Sequence, residues 1–309
     1  MIDFSGQSAV VTGAGRGLGR LYALDLAKRG AQVVVNDIGG TMTGTGSDQS
    51  VADEVVDEIR AAGGIAVASH ESVDTPEGGA AIVQGALDAF GRLDVVVSNA
   101  GIYEMVPFDE LTLDQWRRML QVHLDGAFHL SQPAFRAMKA QDYGRFVMIS
   151  SQMGAFGQHL NAHYGAAKAG VLGLTNVLAL EGESHGIRAN AVLPIGRTRM
   201  MTDSIEGQDP DAIRDALFAE TTAERVVPVV VYLASRDCQV TKHFYSAAAG
   251  RFSRVFVGLT EGWLGDRDSE LSAEDIAAHI DEIDSTEDFT IPGSSTDEIV
   301  GLLQRLGII

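Results

Sequence analysis

Cysteine is almost missing from this sequence of 309 residues, where Cys238 stands alone. A single cysteine cannot form an intramolecular disulfide, which excludes the disulfide-rich secreted scaffolds and favours a reducing compartment. Long hydrophobic runs are also lacking, because the strongest one, at 226–234, contains Pro228 and is far shorter than the ~20 residues of a membrane span. The chain opens without a basic and apolar leader. We therefore expect a cytoplasmic protein with no membrane-spanning segment.

Basic residues are outnumbered by acidic ones. The chain carries 23 Lys and Arg against 42 Asp and Glu, a formal net charge of −19 at pH 7. The imbalance is concentrated in residues 201–309, which hold 8 basic and 21 acidic residues. An acidic surface repels phosphate backbones, so nucleic acid is excluded as the expected partner. We expect a small-molecule substrate and no metal.

What the sequence does contain is an alternation of short β-branched runs with longer amphipathic stretches. Strands are predicted at 8–11, 32–36, 65–68, 93–97, 145–149 and 187–192. Helices are predicted at 17–29, 51–62, 78–90, 113–140 and 164–185. Several strands are almost continuously apolar, as expected for strands that are buried on both faces of a parallel sheet. The pattern predicts an α/β fold with a Rossmann-type doubly wound parallel sheet of about seven strands.

Residues 261–309 are predicted to lie outside this sheet. We assign 252–258 as the candidate seventh strand and place the cofactor-binding domain at 1–260. Residues 261–309 are predicted to form an acidic helical extension, because Ser272 precedes an acidic first turn of the kind that begins a helix. An apolar stripe within 299–306 needs a partner surface.

A glycine-rich segment, Thr12-Gly13-Ala14-Gly15-Arg16-Gly17-Leu18-Gly19, follows the first strand and opens a helix. Glycines let the backbone approach a pyrophosphate, and a helix N-terminus supplies N–H groups with a partial positive charge. Asp37 ends the second strand, where a carboxylate can bind an adenosine ribose diol and would repel a 2′-phosphate. NAD is therefore the predicted cofactor. Arg16 favours NADP instead, and Asp37 could also be only a turn residue before Gly39.

Tyr164 and Lys168 are four residues apart on a predicted helix, so their side chains share one face. A phenol with a pKa of about 10 is almost fully protonated at neutral pH, so it cannot act as a base there. A nearby ammonium group and an oxidised nicotinamide would lower that pKa. Ser151, at the end of the fifth strand, could hold a substrate oxygen by a hydrogen bond. Such a Tyr–Lys pair is commonly only a surface pair, but the glycine-rich segment upstream favours a catalytic one.

Four features together resemble the classical short-chain dehydrogenase/reductase family: TGAGRGLG at 12–19, SNAG at 98–101, Ser151, and YGAAK at 164–168. The resemblance covers roughly residues 4–260. It implies that Tyr164 is the general acid/base, that Ser151 orients the substrate, and that Lys168 binds the nicotinamide ribose and tunes the pKa of the tyrosine. It also implies cofactor contacts at Asn99, Ala100, Gly101, Pro194 and Ile195.

Segments at 33–40, 86–102, 122–128 and 173–182 resemble one group within that family. This group is the (3R)-hydroxyacyl-CoA dehydrogenase domain of peroxisomal multifunctional β-oxidation enzymes, also called 17β-hydroxysteroid dehydrogenase type 4. The likeness implies adenine contacts at Ser72 and Val73.

Two further features bear on this likeness. The polar, glycine-rich stretch at 39–50 fits a subfamily insertion near a ligand, although it could be a mobile surface loop. At the position of His123 many classical members have asparagine, whereas the multifunctional group has histidine. His123 either relays protons or only packs against neighbouring side chains.

The resemblance implies an NAD-dependent oxidoreductase that interconverts a secondary alcohol and a ketone, with a 3-hydroxyacyl-CoA or hydroxysteroid type of substrate. Candidate cations for the phosphates of an acyl-CoA are Arg197, Arg199, Arg225, Arg251 and Arg254. One alternative is a 3-oxoacyl-[acyl-carrier-protein] reductase, which usually prefers NADPH and is disfavoured by Asp37. Another is a non-catalytic NAD-binding redox sensor, which the intact serine, tyrosine and lysine disfavour.

The family likeness also implies a homodimer or homotetramer assembled through the helices at 113–140 and 164–182. No hydratase-like or sterol-carrier-like region follows in this sequence, and its last residues, Gly307-Ile308-Ile309, are not a peroxisomal targeting signal. We therefore expect a stand-alone dehydrogenase.

Overall fold

The structure, a computed structural model, describes residues 1–196 and 220–309. The chain divides into two compact units, Met1–Arg254 and Val255–Ile309. The division falls six residues before the boundary expected from the sequence. No helix among the described residues is long and apolar enough to cross a membrane.

One sheet forms the centre of the first unit. Among the described residues it has eight strands in the order β3-β2-β1-β4-β5-β6-β7-β8. The strands are β1 (Ser8–Thr12), β2 (Gln32–Asn36), β3 (Ile65–Ser69), β4 (Val95–Ser98), β5 (Gly144–Ile149), β6 (Ile187–Ile195), β7 (Phe244–Ala248) and β8 (Arg251–Val255). Strands β1 to β7 are parallel. The predicted Rossmann-type α/β fold is confirmed.

Helices connect the strands and cover the sheet. They are α1 (Gly17–Lys28), α2 (Ser50–Ala61), α3 (Pro76–Phe90), α4 (Leu113–Leu120), α5 (Gly126–Ala140), α6 (Gln152–Phe156), α7 (Ala162–Gly182) and α8 (Val227–Ala234). Short 3₁₀ turns follow α7 and precede α8, at Glu183–His185 and Ala223–Val226. Most of the apolar run noted at 226–234 forms helix α8.

The sheet is apolar because both of its faces are covered. Every residue of β1 is buried, and Val10 is paired with Val34 of β2 on one side and Val96 of β4 on the other. One core cluster joins α1, α2 and α8 to alternate residues of the strands, while Phe135 of α5 stacks on Phe146 of β5. Each fully buried valine-sized side chain contributes about 1.5–3 kcal/mol, so these strands can hold the site at their carboxyl ends rigidly.

Two elements differ from the sequence prediction. The seventh strand is β7, and the segment assigned to it contributes instead to β8. Ala249 and Gly250 join the two strands, both at positive φ (53° and 85°). A two-residue turn of this kind can only connect antiparallel strands.

The helix predicted at 113–140 is not continuous. A π-helical segment, Gln121–Asp125, separates α4 from α5. Single π turns within helices commonly occur at functional sites, and this one carries His123.

The second unit consists of a short antiparallel strand pair and three short helices. Strand β9 (Leu259–Thr260) pairs with β10 (Phe289–Thr290), and the helices are α9 (Ala273–Ala278), α10 (Ile280–Ile283) and α11 (Ser295–Arg305). Ser272 caps α9 as predicted, through a capping box with Asp275. No residue in 255–309 is fully buried, and Ile299 and Leu302 of the predicted apolar stripe are 57% and 50% exposed.

Candidate active site

A cleft of about 340 Å³ opens where the parallel strands β1, β2, β4, β5 and β6 end. The carboxyl ends of parallel strands are where open α/β sheets bind ligands. All the residues predicted for the site line this cleft: Gly13, Arg16, Gly17, Leu18, Gly19, Asp37, Ser72, Val73, Asn99, Ala100, Gly101, His123, Ser151, Tyr164, Lys168, Pro194 and Ile195. The fold thus brings the predicted residues together, and their individual roles remain proposals.

The glycine-rich segment forms a tight turn between β1 and α1. Gly13 and Gly17 have positive φ values of 62° and 54°, which other residues adopt only with strain. A Cβ on Gly19 would lie 2.1 Å from the carbonyl oxygen of Gly13, so only glycine lets α1 approach the turn this closely. No side chain in the described ranges caps α1. Its first N–H groups therefore remain available to an anion, and the segment fits a dinucleotide pyrophosphate.

Asn99 braces this turn from the end of β4. Its Nδ2 donates to the carbonyl oxygens of Thr12 (2.9 Å) and Gly13 (3.2 Å). The Thr12 hydroxyl accepts the backbone N–H groups of Asn99 (3.0 Å) and Ala100 (3.1 Å). Two neighbouring strand ends are thereby fixed to each other, which keeps the shape of the turn independent of any ligand.

Asp37 lies at the end of β2, on the floor of the same cleft. Its two carboxylate oxygens accept backbone N–H groups from Gly15 (2.9 Å) and Gly39 (2.7 Å). These bonds fix the orientation of the carboxylate before any ligand binds. Arg16 also lines the cleft, with its Nη1 3.5 Å from the carbonyl oxygen of Gly40. Both groups that bear on the choice between NAD and NADP are therefore present in one place.

Ser151, Tyr164 and Lys168 meet where β5 leads into α6 and α7. The Ser150 hydroxyl donates to the carbonyl oxygen of Lys168 (2.7 Å), which ties α7 to the end of β5. The Nζ of Lys168 donates to the carbonyl oxygen of Ile149 (2.7 Å) and lies 5.7 Å from the centre of the Tyr164 ring. Burial lowers the pKa of Lys168 to about 7, so this amine can exchange a proton at neutral pH.

The lowered pKa expected for the phenol of Tyr164 depends on an oxidised nicotinamide as well as on Lys168. Burial raises the pKa of Tyr164 to about 12, and a hydrogen bond with Ser151 opposes that rise without cancelling it. In the ligand-free cleft, desolvation destabilises the phenolate more than the hydrogen bond with Ser151 stabilises it. A further positive charge in the cleft is required before Tyr164 can act as a base at neutral pH.

A model of the short chain dehydrogenase family matches residues 7–209 of the chain. The protein belongs to this family. A short-chain type dehydrogenase/reductase of Mycobacterium tuberculosis is 45% identical over 274 residues, which are 89% of this chain and 92% of the relative.

Two further comparisons link this short-chain dehydrogenase to the multifunctional enzymes. Peroxisomal multifunctional enzyme A of Dictyostelium discoideum is 39% identical over 302 residues, which cover 98% of this chain and 65% of that protein. The full-length peroxisomal multifunctional enzyme type 2 from Drosophila melanogaster has a structure that matches with a TM-score of 0.80 and 32% identity. That match covers 99% of this chain and 50% of the Drosophila chain. The chain thus spans only part of these relatives, and the predicted likeness to this group is confirmed.

His123 of this short-chain dehydrogenase lies against the proposed catalytic tyrosine. Its ring contacts that of Tyr164 edge to face, with centroids 5.1 Å apart. Its Nε2 is 2.7 Å from the carbonyl oxygen of Ile102, and a Cβ on Gly101 would lie 2.4 Å from the ring. Burial holds the pKa of His123 well below 6.5, so the ring is neutral. Its Nδ1 is buried with no partner among the described residues, and the relay role stays a prediction.

Sequence reasoning missed a second group of cleft residues, which are Met42, Gly44, Tyr103 and Arg118. The ring of Tyr103 packs edge to face on Tyr164, with centroids 5.2 Å apart. The glycine-rich stretch at 39–50, which could have been a mobile surface loop, reaches the cleft. That composition was the only signal for this group, because the contacts involve residues that are far apart in the chain.

The arginines proposed for acyl-CoA phosphates are not in the cleft where the structure describes them. Arg225 donates to the carbonyl oxygen of Ala249 (3.0 Å), and Arg251 donates to the Ser246 hydroxyl (2.9 Å). Arg254 also does not line the cleft, and 197–200, with the other two arginines, lies outside the described residues. In the described ranges, the guanidinium groups that line the cleft belong to Arg16 and Arg118.

Proposed function

We propose that this short-chain dehydrogenase uses NAD to interconvert a secondary alcohol and a ketone, and that its substrates are 3-hydroxyacyl-CoA thioesters. The observation that carries the proposal is that Ser151, Tyr164 and Lys168 line the same cleft as the glycine-rich turn. The likeness to the (3R)-hydroxyacyl-CoA dehydrogenase domain of peroxisomal multifunctional enzymes supports a CoA thioester as the substrate. A hydroxysteroid is the second substrate type.

The cleft fits a nicotinamide dinucleotide, on the grounds of the uncapped α1 N-terminus and the close backbone approach at Gly13 and Gly19. These residues would hold the pyrophosphate, and Asp37 would hold the adenosine ribose. A nicotinamide held there supplies the hydride acceptor for an alcohol and the hydride donor for a ketone.

The residues of the chain transfer the proton and orient the substrate. In the oxidative direction the Oη of Tyr164, as phenolate, takes the hydroxyl proton of the substrate. The Ser151 hydroxyl donates to the substrate oxygen and keeps it beside Tyr164. Lys168, whose pKa is about 7, holds a positive charge near the phenolate and can pass a proton onward. Ser151 and Lys168 are buried and Tyr164 is partly buried, which limits the access of bulk water to the reacting atoms.

NAD is the proposed cofactor because of the geometry around Asp37. Two backbone N–H groups fix its carboxylate within the cleft, so a 2′-phosphate would meet a negative charge that cannot turn away. The same carboxylate argues against a 3-oxoacyl-[acyl-carrier-protein] reductase that prefers NADPH. The intact catalytic group argues against a redox sensor without turnover.

A steady-state assay of dinucleotide reduction tests the proposal. The panel contains the (3R) and (3S) forms of short, medium and long 3-hydroxyacyl-CoA, and a 17β-hydroxysteroid, each with NAD and with NADP. We expect turnover with NAD and a 3-hydroxyacyl-CoA, at a kcat/KM at least tenfold above that with NADP. Absence of turnover with every CoA thioester and steroid would overturn the proposed substrate class, and equal use of NADP would overturn the proposed cofactor.

We also propose a homodimer or homotetramer assembled through 113–140 and 164–182, and a cytoplasmic location. Exposed apolar side chains on these helices support the assembly, since Phe128, Val177 and Leu180 are 47%, 49% and 45% exposed. Sedimentation velocity of the purified chain tests it, and a monomer at all micromolar concentrations would overturn it.

A further inference from the structure

The connection between β2 and α2 is a folded strap, defined as residues 39–49. The N–H of Asp48 donates to the carbonyl oxygen of Ile38 (2.9 Å), which closes the base of the strap. The N–H of Thr41 donates to the carbonyl oxygen of Thr45 (2.9 Å), which closes its upper part. A Cβ on Gly39 would lie 2.0 Å from the carbonyl oxygen of Asp48, so the base requires glycine. The strap therefore has a defined internal structure.

The tip of the strap is attached to the opposite side of the cleft. The N–H of Tyr103 donates to the carbonyl oxygen of Met42 (3.0 Å). The guanidinium group of Arg118, on α4, donates to the carbonyl oxygen of Gly44. Gly44 has a φ of 77°, and a Cβ there would lie 2.7 Å from the Arg118 Nη2 and 2.8 Å from Ile102. The close approach of tip and arginine therefore depends on glycine at this position.

The strap thus reaches from the Asp37 side of the cleft to the Tyr103 side. Gly40, Thr41, Met42 and Gly44 all line the cleft that contains the glycine-rich turn. A dinucleotide that extends from Asp37 towards Tyr164 would lie in the cleft that the strap crosses. The strap would have to move before such a ligand could leave past its tip.

Arg118 is the side chain that holds the tip. It is half-buried and lines the cleft. Within 1–196 and 220–309, no carboxylate lies within 4.0 Å of it, although the chain carries an excess of acidic residues. Its bond to a backbone carbonyl is charge-assisted, and such bonds are stronger than those between neutral groups.

We infer that Arg118 is a positioning residue that holds the strap closed across the bound dinucleotide and thereby sets the rate at which the cofactor leaves. The inference rests on the proposed function, because it requires a dinucleotide in this cleft. Loop closures of this kind often limit turnover when product release is slow. Arg118 acts through the strap and does not touch the reacting atoms.

The test compares Arg118→Ala and Arg118→Lys with the full-length wild-type chain. Stopped-flow displacement of NADH by excess NAD gives the dissociation rate, and hydrogen exchange of peptides from 38–50 reports the opening of the strap. We expect Arg118→Ala to release NADH about tenfold faster, to exchange faster in the strap and to keep its melting temperature. Its KM for NAD should rise while kcat does not fall. Arg118→Lys should restore part of the slow release.

Two further variants serve as control and second approach. Arg60→Ala removes an arginine whose Nε and Nη2 donate to the carbonyl oxygen of Ala66 (3.1 and 2.9 Å), away from the cleft. It should release NADH at the wild-type rate. Gly44→Ala adds a Cβ beside Arg118 and so weakens the same contact from the strap side. It should release NADH faster, as Arg118→Ala does.

Unchanged NADH release and unchanged strap exchange in Arg118→Ala would overturn the inference while leaving the proposed function intact. A raised KM for the CoA thioester with unchanged NADH release would also overturn it, and would make Arg118 a substrate ligand. If the wild-type chain bound no NADH, the proposed cofactor and this inference would both fall.

Discussion

Lys168 should make the ligand-free protein less stable at neutral pH than a chain with methionine at that position. The side chain is only 4% exposed, and its pKa falls from the ordinary 10.5 to about 7 because burial disfavours the charged form. In the unfolded chain the same amine is solvated and keeps its ordinary pKa. The folded state therefore bears an electrostatic cost that a methionine would not have.

The size and sign of this effect follow from the two pKa values of Lys168. The gap between 10.5 and about 7 corresponds to about 5 kcal/mol, at ~1.4 kcal/mol for each pH unit. Between these pH values the unfolded state binds the proton and the folded state does not, so stability rises with pH. Below pH 7 both states are protonated and the full cost persists. The advantage of Lys168→Met over wild type should therefore shrink by about 2 kcal/mol from pH 7 to pH 9.

Urea denaturation followed by far-ultraviolet circular dichroism measures this difference, at pH 7, 8 and 9 and at one protein concentration. Loss of the bond to the Ile149 carbonyl offsets part of the gain equally at each pH, so the trend is the decisive quantity. Lys139→Met, at an exposed lysine in the last turn of α5, is the matched control and should show no trend. A stability difference for Lys168→Met that stays constant across these pH values would refute the reasoning.

Three substitutions test the cleft itself. Tyr164→Phe should lower kcat about 10³-fold, as loss of a general acid/base does, while NADH affinity by fluorescence titration stays within about twofold; near-normal kcat would contradict the role of Tyr164. Asp37→Ser should raise the ratio of kcat/KM with NADP to that with NAD by at least about tenfold, because the repulsion of the 2′-phosphate is removed; an unchanged ratio would mean that Asp37 does not select the cofactor. Gly19→Ala places a Cβ 2.1 Å from a backbone oxygen and should cost about 1–3 kcal/mol in urea denaturation, together with NADH binding. Retention of both would show that the glycine-rich turn can relax.

The sheet was largely predictable because its strands carry a strong local signal. Strand β2 has the predicted bounds, since its three consecutive valines are buried on both faces of a parallel sheet. Strand β7 was missed because Ser246, Ala247 and Ala248 are small and not β-branched, and their burial depends on the neighbouring β6. Burial that is imposed by tertiary structure leaves little trace in a local pattern.

The site was predictable to the extent that its residues lie in short motifs. The glycine-rich turn, Ser151, Tyr164 and Lys168 lie in short motifs, so the sequence could predict that they share one cleft. Arg118 could not be found in this way, since its contact with Gly44 joins residues that are 74 positions apart in the chain. The raised pKa of Tyr164 in the ligand-free cleft could not be foreseen either, because the degree of burial is set by the whole cleft.

The π-helical segment Gln121–Asp125 has a consequence for how the sequence of this region can vary. A π turn contains more residues than an α turn, and each residue advances a helix by about 100°. Helices α4 and α5 are therefore out of phase, and their inward-facing stripes do not continue one another. The apolar pattern of α4 therefore does not predict that of α5, and the sequence of each helix is constrained by its own pattern.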